Sequence, residues 1–303
     1  MKRSTRREFL RNSGGLSAAA LVATTLGSSA AAWADPMGLP VGIQLYTVRG
    51  VIGTDTPGTL KQLHDIGYRE VETAGFGKYS AKEFGQLIKD AGLSCPSAHL
   101  PLNGPDYGQV FDDAHALGVT YATSSTLSAD SGEPRTAPKG PHGWPLLGLD
   151  GFKRLAAKMN DVGTKAKAAG LKYAYHNHDL EFQKMPDGSF GYDVLLNETD
   201  HALVKFEIDC GWMVVGGASP VAYMKKYPNR FRMIHVKDFE AMPQAGKRPQ
   251  GSELGAGFID YKPIFAEGRR AGIQHAFAEQ EGPYTKPEME SARIDYAYLH
   301  SMS

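Results

Sequence analysis

Residues 170–182 read GLKYAYHNHDLEF. The segment reads as a short buried strand whose end carries His176 and His178, followed by Asp179 and Glu181. Side chains alternate across a strand, so the two histidines share a face. Imidazoles on the inner face of a strand call for a partner, a proton or a metal. Three later segments supply candidates: FEID at 206–209 with Glu207 and Asp209, IHVKD at 234–238 with His235 and Lys237, and HAFAEQE at 275–281 with Glu279.

Outward from this stretch, short apolar runs alternate with longer amphipathic ones, separated by Gly, Pro or polar clusters. That rhythm predicts βαβ units and a parallel sheet. Strands are expected at 40–48, 68–74, 93–100, 119–126, in the quoted stretch, and at 202–210, 231–236 and 274–280. Helices are expected from Thr56-Pro57 to Gly67, from Ser80 to Gly92, around 110–117, at 151–169, 191–198, 220–227 and 261–271, and at 286–302. Ser80 with Glu83 has capping-box spacing. Phe152, Leu155, Met159 and Val162 fall at helical spacing and read as core. Residues 252–258 read as a Gly-rich loop, and the Gly-, Pro- and Ser-rich 128–149, with His142 and Trp144, as either a lid or a passive surface loop. Eight strands, each followed by a helix or helical turn, describe a single-domain (β/α)8 TIM barrel over 35–303. No GxGxxG or GxxxxGK[ST] sits at a strand-to-helix turn, which leaves a doubly wound nucleotide-binding sheet as the weaker alternative.

The amino terminus reads differently. Lys2, Arg3, Arg6, Arg7 and Arg11 precede an Ala/Leu/Val run at 16–26 that is too short to span a membrane, and Ala32-Trp33-Ala34 has cleavage-site spacing. Residues 1–34 are expected to be a signal peptide, and Thr5-Arg6-Arg7-Glu8-Phe9-Leu10 resembles the twin-arginine motif, which implies periplasmic export of a folded protein. Whether the segment is cleaved or kept as an anchor is open.

The 303 residues carry 33 basic and 33 acidic side chains, so no electrostatic footprint points to nucleic acid or to an anionic membrane. A small molecule is the expected partner, with self-association left open. Cys95 and Cys210 lack CxxC spacing and read as buried small hydrophobes.

In such a barrel the reactive groups lie at the carboxyl ends of the strands. The inward-facing set is then His99, His176, His178, Glu207, Asp209, His235, Lys237 and Glu279. Unpaired charge at these positions is costly, and a divalent metal with its substrate accounts for the convergence better than packing does. Glu207 alternatively balances Lys237 or Arg230, and His99 is either a substrate contact or a hydrogen-bonded core histidine. Asp179 and Glu181 read as caps of the following loop. Tyr46, Trp212 and Phe239 read as a wall for a sugar ring.

The series YHNHDLEF, FEIDCGW, IHVKD and FAEQEG resembles the xylose isomerase-like barrel superfamily, often labelled sugar phosphate isomerase/epimerase, and the likeness runs from GIQLYTV at 42–48 onward. The resemblance implies one divalent ion (Mn, Mg, Co or Zn) held by His176, Asp209, His235 and Glu279. His176 is expected level with the other three ligands, and His178 one pleat nearer the mouth. The epimerases of the superfamily carry a glutamate where this chain has His176, and a metal-bound imidazole does not serve as the second carboxylate base. Proton abstraction next to a carbonyl remains, with Lys237, Glu207, Glu279 and His178 as catalytic candidates and His99, Tyr46 and Trp212 against substrate. The expected activity is isomerisation, epimerisation or elimination of an unphosphorylated keto-sugar, keto-glycoside or cyclitol. Inosose dehydratases and lyases of oxidised glycosides are the nearest in chemistry. A non-catalytic periplasmic sugar-binding barrel is the alternative, and a metal-dependent endonuclease on a related barrel a more distant one.

Overall fold

The computed structural model describes residues 36–128, 146–244 and 247–302. The expected signal peptide and the central part of the expected lid, with His142 and Trp144, lie outside them. Eight parallel strands close into a barrel: β1 (Val41–Gln44), β2 (Glu70–Thr73), β3 (Ser94–His99), β4 (Tyr121–Ser124), β5 (Lys172–His176), β6 (Val204–Asp209), β7 (Phe231–Val236) and β8 (His275–Ala278). Neighbours follow chain order and β8 pairs with β1. The helices between and after them are α1 (Thr56–Ile66), α2 (Ala81–Asp90), α3 (Gly108–Leu117), α4 (Gly148–Ala168), α5 (Gly191–Glu198), α6 (Cys210–Val215), α7 (Pro220–Lys226), α8 (Tyr261–Ala271) and α9 (Glu288–Ser301). No helix among the described residues is long and apolar enough to cross a membrane.

Local chemistry explains the boundaries. Asp55 caps α1 by accepting from Gly58 N–H at 3.0 Å. Ser80 and Glu83 form the expected reciprocal box on α2, Ser80 N–H donating to Glu83 Oε2 at 2.9 Å and Glu83 N–H to Ser80 Oγ at 3.3 Å. The apolar stripe of α4 is buried, with Phe152, Leu155, Met159 and Val162 all at 1% exposure or less. Cys95 and Cys210 are free and buried.

The first strand stops earlier than its apolar run. At Gln44 the side chain accepts from Tyr46 N–H (3.1 Å) and the chain turns into a 3₁₀ segment, Leu45–Val48. The turn leaves Tyr46 42% exposed at the barrel mouth. The helix α6 was not expected: it begins directly at the end of β6, capped by Asp209 through Trp212 N–H at 2.8 Å. The segment at 252–258 is more built than a free loop. Asp238–Phe239 pairs antiparallel with Gly251–Ser252, and the Asp238 carboxylate accepts from the N–H groups of Gly255 (3.2 Å), Gly257 (3.2 Å) and Ile259 (3.1 Å). Asp295 accepts from Leu254 N–H at 2.8 Å, so two buried carboxylates hold this connection in place.

Period-two alternation stacks the barrel interior into layers. Tyr121, Ala174, Met233 and Phe277 form an apolar plug. Two residues further along the same strands, on the same face, come Thr123, His176, His235 and Glu279. The polar site thus rests directly on a packed floor.

Candidate metal centre at the strand ends

His176, Asp209, His235 and Glu279 each point a ligand-type atom into one volume, and these atoms all lie within 4.8 Å of one another. All four residues are buried. The strand register is not the expected level row. His176 pairs with Glu207, whereas Asp209 pairs with His235, and Glu279 lies just beyond β8, its N–H donating to Val236 O at 3.0 Å. The strands of a barrel are tilted and staggered, so side chains from different heights converge.

The histidines are oriented from below by carboxylates. Glu207 Oε2 lies 3.0 Å from His176 Nδ1, 2.9 Å from His99 Nε2 and 3.2 Å from His235 Nε2. Glu72 Oε2 lies 2.7 Å from His235 Nε2 and 3.1 Å from His99 Nε2. Glu72 is itself held by Gln44 Nε2 at 2.7 Å and by the hydroxyl of Ser97. With Nδ1–H of His176 donating to Glu207, the tautomer leaves Nε2 as a lone pair, 3.9 Å from Asp209 Oδ2. A carboxylate that fixes one ring nitrogen so that the other is free for a cation is the usual outer support of a metal-bound histidine.

Glu207 therefore does not face the pocket. It is fully enclosed under the imidazoles and pairs with neither Lys237 nor Arg230, whose guanidinium is spent on Leu196 O and Thr199. Lys237 instead reaches upward to Asp209 Oδ2 (3.0 Å), Glu279 Oε2 (2.8 Å) and Glu281 Oε1 (2.6 Å). Trp212 stands one layer behind the expected wall, 3% exposed, its Nε1–H donating to Glu281 Oε1 at 2.9 Å and its ring centroid 5.1 Å from Lys237 Nζ. Capping by Asp209 folds α6 back and takes that ring with it. Phe239 packs behind in turn, 5.2 Å from the Trp212 ring.

A cavity of about 430 Å³ opens above the cluster, lined by Tyr46, His99, His176, His178, Glu279 and Glu281 among others. His178 lies past the end of β5, its N–H donating to Glu181 Oε2 at 2.9 Å. Glu181 also accepts from Tyr175 OH, which makes it the brace of this turn, as expected of a cap. Asp179 lies in the same turn. A larger depression of about 580 Å³ lies elsewhere, lined by exposed Lys262, Arg269, Arg270 and Ser301 together with Met37 and Phe265; among the described residues no buried polar side chain lines it, so the smaller cavity is the one with chemistry.

The charges follow from this geometry. Burial, with His235 beside it, drives the His176 imidazole well below its usual range and keeps it neutral. Burial likewise pushes His178 down to about 4. For His99 burial opposes the charge, but Glu72 and Glu207 outweigh it and raise the group to about 10. Lys237 is held well above its usual range because Asp209, Glu279 and Glu281 overcome its burial. Asp209 goes the other way: burial raises it to about 6 in spite of Lys237.

Within the site two buried carboxylate oxygens, Asp209 Oδ2 and Glu207 Oε1, have no hydrogen bond; Lys237 Nζ is near the first, at 3.0 Å, but outside hydrogen-bonding geometry. A buried anionic oxygen without a donor, facing a neutral imidazole lone pair, fits a cation. His176, Asp209, His235 and Glu279 are the residues that would hold it.

The chain belongs to the xylose isomerase-like TIM barrel family, whose pattern matches residues 60–301. Over 126 residues it is 33% identical to an inosose dehydratase of Clostridium beijerinckii, a stretch covering 38% of this chain and 41% of that protein. The match thus spans less than half of that relative's length. A sugar phosphate isomerase/epimerase from Parabacteroides distasonis superposes with a TM-score of 0.70 at 26% identity, covering 86% of this chain and 94% of the other. An IolI protein with a bound zinc atom shares the xylose isomerase-like fold at 13% identity and a TM-score of 0.65, over 87% of this chain and 98% of that one.

All four members of the cluster are among the eight inward-facing residues expected from the strands, the family resemblance singled them out as ligands, and Glu72 and Glu281 were missed. Both were marked in the sequence by the same alternation. Glu72 stands on β2 two residues after Glu70, and Glu281 stands two residues after Glu279.

Proposed function

We propose that this chain is a metal-dependent lyase or isomerase that removes the proton next to a carbonyl of an unphosphorylated keto-sugar, keto-glycoside or cyclitol. The observation that carries the reading is the four-ligand cluster with its unbonded Asp209 oxygen, opening into a cavity of sugar size. The partial likeness to inosose dehydratases supports the elimination branch. Two imidazoles among four ligands favour zinc, manganese or cobalt over magnesium, which prefers an all-oxygen shell. When bound, such an ion supplies Lewis acidity to the carbonyl oxygen.

The chain's own groups divide the remaining work. His178, neutral and lining the cavity, accepts the proton. Lys237, kept cationic by three carboxylates, offsets negative charge that develops on the substrate. Glu207 and Glu72 position the imidazoles. Glu279 and Glu281 at the cavity wall would repel a phosphate dianion, which favours an unphosphorylated substrate. His176 in place of a second carboxylate favours one-base chemistry over a symmetric epimerase shuttle. A periplasmic location is supported by the twin-arginine-like motif alone.

The test is proton exchange. Metal-loaded protein incubated in deuterated water with a panel of keto-glycosides and inososes should label the carbon next to the carbonyl, or release an unsaturated product. Binding without label or product across the panel would mean a sugar-binding barrel, and absence of any bound divalent ion would sink the reading.

A further inference from the structure

Beside the site cavity lies a second one of about 190 Å³, and the two share Tyr46, Ala74 and Gly75 as a common wall. Leu45, Ile52, Phe76 and Phe84 make its apolar side. A cavity of about 150 Å³ holds a benzene molecule, so the space is right for one six-membered ring. The loop after β2 is built to present Phe76: Gly75 (φ +118°) and Gly77 (φ +59°) flank it, both in the left-handed half of the map, although a Cβ at either would meet nothing within 4 Å. Backbone shape, not space, demands these glycines. Phe76 rests on Phe84, ring centroids 6.3 Å apart. The shared Tyr46 is clamped by Arg49, whose Cζ lies 4.2 Å from its ring centroid and whose Nη1 donates to Tyr46 O at 3.1 Å and to Tyr284 OH at 2.6 Å. That guanidinium is already engaged, Thr56 spends its hydroxyl on Ile52 O at 2.8 Å, and the exposed Lys78, the other cation on the lining, holds its Nζ 5.5 Å from the Tyr79 ring centroid, so the enclosed side of the cavity is left apolar.

We infer that the second cavity is a subsite for an aromatic or apolar ring joined to the sugar, and that the substrate is a glycoside with a hydrophobic aglycone. The inference rests on the proposed sugar chemistry of the neighbouring site. Tyr46 separates the two ring positions, the sugar lying on the His99 and His178 side and the aglycone on the Phe76 side.

Calorimetric dissociation constants of the metal-loaded full chain for methyl and phenyl β-D-glucopyranoside test it, in wild type, Phe76→Ala and Phe76→Leu. Phenyl should bind about tenfold more tightly than methyl, the factor expected from burying part of a ring. Phe76→Ala should abolish that advantage while leaving the methyl glycoside unchanged, and Phe76→Leu should keep most of it; unchanged thermal midpoints exclude unfolding as the cause. Equal binding of the two glycosides in wild type, or an undiminished advantage in Phe76→Ala, overturns the subsite and leaves the sugar reading standing. No binding of either glycoside overturns the subsite as well, and the proton-exchange panel decides the sugar reading separately.

Discussion

Glu207 stands beside His176 as its register partner on the adjacent strand, with Oε2 3.0 Å from the ring Nδ1. This one contact sets the tautomer of His176 and points its free nitrogen at Asp209.

Glu207→Gln keeps the shape and removes the charge that fixes the imidazoles. The expected result is a folded protein whose affinity for zinc or manganese is about 10- to 100-fold lower, the usual cost of losing such a support. Isothermal titration of the divalent ion checks it; an unchanged affinity would mean that the contact orients nothing that matters to the ion. Asp209→Ala should lose far more, since it removes a ligand.

Lys237 competes with an ion for Asp209 and Glu279, at 3.0 and 2.8 Å. Lys237→Met should therefore destabilise the metal-free protein by about 3–5 kcal/mol, because buried carboxylates are left without a counter-charge. Added zinc should restore much of this and bind more tightly than to wild type. Denaturant unfolding with and without metal reads both effects, and equal destabilisation in the two conditions would contradict the competition.

Metal binding to the folded state alone raises stability by mass action, about 2.7 kcal/mol at a hundredfold excess over the dissociation constant. For a domain of this size that is a rise in thermal midpoint of very roughly 5–10 °C. A midpoint that does not move with zinc, manganese or cobalt, and does not fall on chelation, would remove the metal from the account.

Away from the site, burial raises the Asp295 carboxyl from 3.8 to about 7, with Glu253 and Asp238 adding to the effect and Lys286 opposing it. The folded state holds this proton more tightly than the unfolded chain does, so its stabilisation is complete below about 4 and is lost as pH rises towards 7. Asp295→Asn keeps an oxygen for the Leu254 N–H and should flatten that part of the profile, leaving the variant relatively more stable at pH 8 than at pH 4. Parallel profiles of thermal midpoint against pH would show that Asp295 does not titrate in this range.

The number of strands and their approximate places were legible because short strand-like runs alternate with longer amphipathic ones, and because Ser80 with Glu83 and Thr56-Pro57 mark helix starts by local chemistry. So were the eight inward-facing polar groups that include the four clustered side chains, since an ionisable residue at the end of a buried strand stands out against its neighbours; that these four are the ligands came from the family resemblance. What lay beyond reading was anything set by two strands at once. The vertical offset of His176 from Asp209 depends on barrel stagger, which no single segment encodes. The burial of Glu207 under three imidazoles, and the retreat of Trp212 behind Lys237, depend on which side chains arrive from other strands and on the α6 turn that Asp209 caps. Alternation along one chain segment determined which residues face inward. Only closure of the barrel decided the height at which each one meets the others, and hence which is placed to hold a cation, which to meet substrate and which to brace the rest.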